Sequence, residues 1–135
     1  MASRSEVHVF TAVFESNEAA FAFVHPHWEP EPDEHTSDED YVAWEDRNPI
    51  WPMKEELGGL RIDADFVEVI WKSGMVPDWN YLKSRLRAVD VLGISDGTAP
   101  ANTFVLIDQT AFGDAKPELR STANLTYRGC YPSVL

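Results

Sequence analysis

The hydrophobic pattern of residues 6–14, EVHVFTAVF, predicts the first strand. β-Branched residues alternate with aromatic and small residues through this run, so both faces of the strand should be at least partly buried. A helix is predicted over 17–24, because Ser16 offers an N-cap and Glu18 falls in the first turn. The His25-Pro26 pair should end it, since a residue before proline disfavours helical geometry.

The middle of the chain predicts a loop and two more helices. Residues 25–35 hold three prolines and should be irregular. A helix is expected over 38–47, capped by Ser37 and with three acids in its first turn, and a shorter one over 51–57. Tyr41 and Trp44 are three residues apart, so they should face the core together.

The second half predicts strands over 65–71, 103–108 and 123–131, with one helix over 78–89. The helix has an apolar stripe at spacings of three and four, formed by Trp79, Leu82, Leu86 and Val89. The last two strands are expected to form an antiparallel hairpin with a long loop.

This order of elements predicts an α+β fold in which helices pack on one side of a small, mostly antiparallel sheet. The 135 residues fit one domain, 1–135, with an acidic loop and helix at 25–47. No apolar run approaches the length of a membrane span, and the first ten residues carry no long apolar stretch. A cytoplasmic protein is therefore expected, and the single cysteine, Cys130, fits a reducing compartment.

The charge is concentrated in one segment. The formal net charge is −12, and residues 25–46 contribute nine acids and no lysine or arginine. Residues 47–135 are almost neutral, with eleven acids and ten bases. Such a negative field repels nucleic acid and anionic membranes and attracts basic proteins.

The acids are interleaved with large aromatic residues of the kind that anchor protein interfaces. The predicted partner-binding residues are therefore Trp28, Glu29, Glu31, Asp33, Glu34, Asp38, Glu39, Asp40, Tyr41, Trp44, Glu45 and Asp46. The competing interpretation is a solvated acidic face whose aromatic residues point into the core.

Enzymatic chemistry has weaker support in the sequence. His25, His27 and His35 are candidate metal ligands, and nearby carboxylates would complete a shell, but no rigid element is predicted to orient them. The chain has no HExxH, CxxC or Walker A motif, the run GISDG at 93–97 is turn-like, and no cofactor or catalytic residue is predicted. A small metal- or carboxylate-dependent hydrolase is the alternative function, and a non-enzymatic adaptor domain is the second alternative.

The run VHVFTAVF, followed by Phe14-Glu15-Ser16-Asn17-Glu18, resembles the opening of the bacterial immunity protein 22 family. An acidic-aromatic stretch at 63–68 and late strands at 103–107 and 125–129 extend the resemblance. The resemblance implies a non-enzymatic cytosolic protein that binds and neutralises a polymorphic toxin encoded beside it. Such toxins are often nucleases, whose phosphate-binding surfaces are basic, so an acidic inhibitor suits them. The sequence leaves monomer and homodimer both open, since edge strands can pair.

Overall fold

The computed structural model describes residues 5–96 and 100–134 of the chain, and the remaining residues lie outside this description. It contains four strands, five α-helices and two short 3-10 helices, at Ala64–Phe66 and Gln109–Phe112, within the described ranges. The strands and α-helices are β1 Glu6–Ala12, α1 Asn17–Val24, α2 Asp38–Arg47, α3 Pro52–Glu56, β2 Val67–Trp71, α4 Trp79–Arg85, α5 Ala88–Ser95, β3 Thr103–Asp108 and β4 Thr126–Pro132. The predicted bounds of α1, α2 and β3 are confirmed residue for residue.

The four strands form one antiparallel sheet in the order β2-β3-β1-β4, which confirms the predicted α+β class. The predicted hairpin between the last two strands is wrong, because β1 lies between β3 and β4 and pairs with both. The central position suits β1, since Val7, Val9 and Phe10 are fully buried and a neighbouring strand on each edge pairs the buried backbone N–H and C=O groups of β1. The connection from β3 to β4 therefore passes over β1.

Helices cover both faces of the sheet, so the prediction that they pack on one side is wrong. On one face, Phe10 of β1 and Val105 of β3 pack with Val24 of α1 and Met53 of α3. The opposite face is covered by α4 and α5. Successive strand residues point to opposite sides, and here both sets are apolar, so each face requires a layer of helix.

On that second face, the apolar strand residues pack against the buried residues of α4 and α5. This cluster consists of Val7, Val9, Phe104, Leu106, Leu82, Leu86, Val91 and Ile94.

The predicted helix over 78–89 is two helices, separated at Leu86. Leu86 has extended backbone angles, is buried, and forms an antiparallel bridge with Ser133. The carbonyl of Arg85 accepts a hydrogen bond from the backbone N–H of Val134, at 2.9 Å. Pairing with the C-terminal segment therefore interrupts the helix that the apolar spacing predicts, and Val89 of the predicted stripe is exposed.

Candidate partner-binding surface

The acidic segment is closed at its base by a two-residue bridge. The backbone N–H of His27 donates to the carbonyl of Ile50 at 2.9 Å, and the N–H of Ile50 donates to the carbonyl of His27 at 2.7 Å. The indole N–H of Trp51 donates to the carbonyl of Val24 at 2.6 Å. The chain that follows the acidic segment therefore contacts the end of α1, which is also where the segment begins. The acids from Glu29 to Asp46 thus lie on a loop and helix whose two ends are held by hydrogen bonds.

Asn48 and Trp44 join the loop to the end of α2. The amide oxygen of Asn48 accepts from the backbone N–H of Glu29 at 2.8 Å, and its amide nitrogen donates to the carbonyl of Trp44 at 2.7 Å. The Trp44 indole N–H donates to the carbonyl of Glu29 at 3.3 Å. Because these bonds satisfy partly buried backbone groups, they hold the loop and helix in one arrangement.

Helix α2 begins at Ser37, whose hydroxyl accepts from the backbone N–H of Asp40 at 3.1 Å. The carboxylate of Asp33 accepts from the backbone N–H of His35 at 2.8 Å and so shapes the turn before the cap. Three acids in the first turn of α2 also interact favourably with the positive end of the helix dipole. Some of these acids therefore also stabilise the turn and the first turn of α2.

Three aromatic rings form a row along this surface. The ring centroid of Trp44 lies 5.4 Å from that of Trp28 and 5.3 Å from that of Tyr41. Trp44 is only 8 % exposed, whereas Trp28 is 55 % exposed. Trp44 therefore presents too little surface to anchor a partner, and the interpretation that placed it inward is correct for this ring. Trp28 keeps an apolar face open to solvent.

Most of the predicted acidic residues are accessible. The exposed ones are Glu31, Asp33, Glu34, Asp38, Glu39, Asp40, Glu45 and Asp46. Tyr41 is half-buried and donates to the carboxylate of Glu31 at 2.9 Å, and this hydrogen bond is the main cause that raises the pKa of Tyr41. The structure thus leaves eight carboxylates exposed to solvent along the loop and α2, and one of them contacts Tyr41.

Two of the nine acids have a basic neighbour. Glu29 pairs with Nε of Arg47 at 2.8 Å, and Glu34 lies 3.8 Å from a ring nitrogen of His35, with both side chains largely in water. The other seven form no ion pair with any residue of 5–96 or 100–134. Their charges repel one another across the surface, and a cationic partner would relieve this repulsion.

Sequence reasoning missed Arg47 and Asn48, which lie just beyond the acidic residues it identified. Arg47 neutralises Glu29, and Asn48 fixes the position of Glu29 through its backbone. A local signal existed, since a basic residue in the last turn followed by asparagine is typical of a helix C-terminus.

The three candidate histidines are not brought together. His25 stacks on Phe21 with centroids 5.3 Å apart, and burial lowers its pKa. His27 belongs to the bridge with Ile50, and the His35 side chain is exposed. Across the described ranges, no group of three or more histidine, cysteine or acidic side chains is arranged to hold a metal ion.

A second polar cluster lies between β1 and β4. The buried His8 ring contacts the Tyr127 hydroxyl at 2.9 Å through Nδ1 and the Gln109 amide oxygen at 2.7 Å through Nε2. Cys130 donates to Glu6 at 3.2 Å, and burial together with this carboxylate raises the pKa of the thiol to about 12. The thiol is therefore protonated at neutral pH, which makes it a poor nucleophile.

Comparison with known proteins leaves the chain without an assigned family. No family model matches its sequence, and neither the curated proteins nor the solved structures gave a significant match. No helix in the described part of the chain has the length and apolar character needed to cross a membrane.

Proposed function

We propose that this chain is a cytoplasmic immunity protein that binds and neutralises a cognate toxin domain with a basic surface. The observation that carries the proposal is the ordered acidic surface formed by Glu29–Asp46. Eight of its nine carboxylates are exposed, and seven have no ion-pair partner within the described residues. The resemblance of the strand and helix at 7–18 to the immunity protein 22 family points to the same function.

The proposed inhibition is electrostatic. A nuclease binds phosphates through lysine and arginine side chains, and a protein that presents carboxylates can occupy the same positions. Segment 25–46 carries nine of the twelve excess negative charges. A field concentrated in this way orients the partner during diffusion and raises the association rate.

Trp28 supplies the apolar part of the proposed contact. Its ring is exposed and rests against Trp44, so it offers a partner an apolar face that is held in place from behind. Exposed tryptophan residues held by a rigid support are typical of interface hot spots, because little conformational entropy is lost on binding. The acids would then set the association rate, and Trp28 would slow dissociation.

The test is binding to the basic toxin domain encoded beside the gene, produced as a catalytically inactive variant. We expect a one-to-one complex whose affinity falls steeply as salt rises, because the contact depends on charge. In cells, the chain should restore growth when the active toxin is expressed. A chain that forms no complex and gives no protection against any adjacent toxin would contradict the proposal.

A further inference from the structure

A groove of about 630 Å³ opens between α4 and α5. It lies on the face of the sheet opposite to α1 and α3, the two helices between which the acidic segment runs along the chain. Its lining consists of Trp79, Lys83, Ala88, Val91, Leu92 and Ser95. A mostly apolar concavity of this size matches the sites that bind small molecules.

Helix α5 is apolar on its outer side as well as its inner side. Val91 and Ile94 are buried against the sheet, whereas Val89 and Leu92 are 68 % and 70 % exposed. Asp90 and Ser95 are the polar residues of this helix, so its exposed apolar surface is confined to the side that carries Val89 and Leu92. The groove beside Leu92 is where an apolar ligand would fit.

The charges around the groove define the occupant. Lys83 is the one charged lining residue, and it forms no ion pair with the described residues. Arg87 nearby is already paired with Asp90 at 2.8 Å, and the Ser95 hydroxyl donates to the carbonyl of Leu92 at 2.8 Å. The ammonium of Lys83 is thus the polar group left for a ligand, and it favours an anion.

Two larger occupants fit the groove less well. A second copy related by a two-fold axis at this groove would place both Lys83 ammonium groups in one interface, where like charges repel. A folded protein partner contacts about 20–30 residues on each side, whereas six residues line this groove.

We propose that the groove between α4 and α5 binds an amphipathic carboxylate, with its apolar tail between Trp79 and Leu92 and its head group at the Lys83 ammonium. The site is independent of the proposed toxin-binding surface. It gives the protein a small-molecule ligand of the medium-chain fatty acid class.

The first test compares sodium octanoate with octan-1-ol by amide NMR titration of the full chain. Octanoate should bind saturably and shift resonances of α4 and α5, and hexanoate should bind more weakly, by at most about fourfold for each methylene removed. Lys83→Gln should weaken octanoate about fivefold, as expected for loss of a partly exposed ion pair, and leave octan-1-ol unchanged.

A second variant tests the location. Leu92→Asp places a carboxylate in the groove at an exposed position, so the fold should persist and octanoate binding should be lost. The matched control is Val42→Asp, which is 54 % exposed on α2 and should bind octanoate normally. The spectrum of each variant before titration shows that it is folded.

Three results would overturn the proposal. One is octanoate binding that survives Leu92→Asp, and another is an equal effect of Lys83→Gln on octanoate and octan-1-ol. The third is the absence of octanoate binding together with a self-association that Leu92→Asp abolishes, which would assign the groove to a second copy of the chain.

Discussion

The side chain of Asn48 holds Glu29 in place, because its amide oxygen accepts the backbone N–H of Glu29 at 2.8 Å. The other end of the same amide donates to the carbonyl of Trp44. Asn48 lies just after the acidic segment and connects the loop at its start with helix α2 at its end. The shape of the proposed binding surface depends on this connection.

Asn48→Ala should lower the free energy of unfolding by about 2 kcal/mol, since it removes two hydrogen bonds to partly buried backbone groups. Urea denaturation measures this loss, and amide exchange at Glu29 should become faster. Asn80→Ala, at an exposed position of α4, is the control and should change neither quantity. Unchanged exchange at Glu29 would show that Asn48 does not hold the loop.

Neutralising four exposed acids of the surface should slow association with the toxin domain about tenfold and flatten its dependence on salt. The substitutions are Glu34→Gln, Glu39→Gln, Glu45→Gln and Asp46→Asn, and stopped-flow or surface-binding kinetics give the rates. The control removes the same charge from exposed positions elsewhere, with Glu15→Gln, Asp96→Asn, Asp114→Asn and Glu118→Gln. Equal rates for the two quadruple variants would mean that net charge, and not this surface, steers binding.

Alanine variants of Trp28 and Trp44 should affect different properties, toxin affinity for Trp28 and stability for Trp44. Trp28→Ala removes an exposed ring, so we expect little change in unfolding but a loss of affinity of about 2 kcal/mol for the toxin domain. Trp44→Ala removes a buried ring and should cost about 3 kcal/mol of stability. Chemical denaturation and equilibrium binding on both variants make the comparison. A Trp28→Ala protein with full affinity would remove this ring from the proposed interface.

Glu56 should contribute stability that depends on pH. Burial favours its neutral form, but hydrogen bonds from Thr122 and Asn124 outweigh burial and lower the pKa of Glu56 below its usual 4.5. The backbone N–H and side-chain amide of Asn124 lie 2.8 Å and 2.7 Å from the carboxylate oxygens. These bonds connect α3 to the loop before β4.

Because the folded-state pKa of Glu56 is lowered, its contribution is present above pH 4.5 and is lost as the pH falls through the folded value. Glu56→Gln should therefore unfold at a lower temperature than the parent at pH 7, and the difference should shrink as the pH is lowered below 4.5. Thermal unfolding followed by circular dichroism across this pH range measures it. Glu55→Gln, on the same helix but exposed, should show no such pH-dependent difference.

Local sequence signals predicted several elements well, and each case has a local cause. Ser16 and Ser37 cap α1 and α2 in the predicted way, and the hydroxyl of each accepts a backbone N–H three residues on. The run at 103–108 is apolar at almost every position, which a short central strand requires. The charge of segment 25–46 is likewise a property of composition, and it alone indicated a basic partner.

The errors came where contacts between distant residues decide the outcome. The apolar spacing at 79–89 fits a single helix, yet pairing of Leu86 with Ser133 ends α4 after Arg85. The last two strands follow one another along the chain, but the two-sided apolar character of β1 places it between them. Periodicity describes only the neighbours of a residue in sequence, so it cannot give the order of the strands in the sheet.

For the binding surface, the sequence determined which charges and rings the segment carries, because composition needs no fold. Only the tertiary structure decided which of them face water. The sequence places Trp28 in a loop and Trp44 on a helix, and the hydrogen bonds that connect Trp44, Asn48 and Glu29 hold Trp44 inward while Trp28 stays exposed. The groove beside Lys83 likewise exists only because the helix is interrupted at Leu86, which places α5 beside α4. A local sequence pattern cannot predict the exposure of these rings or the groove, since both depend on contacts with residues far away in the chain.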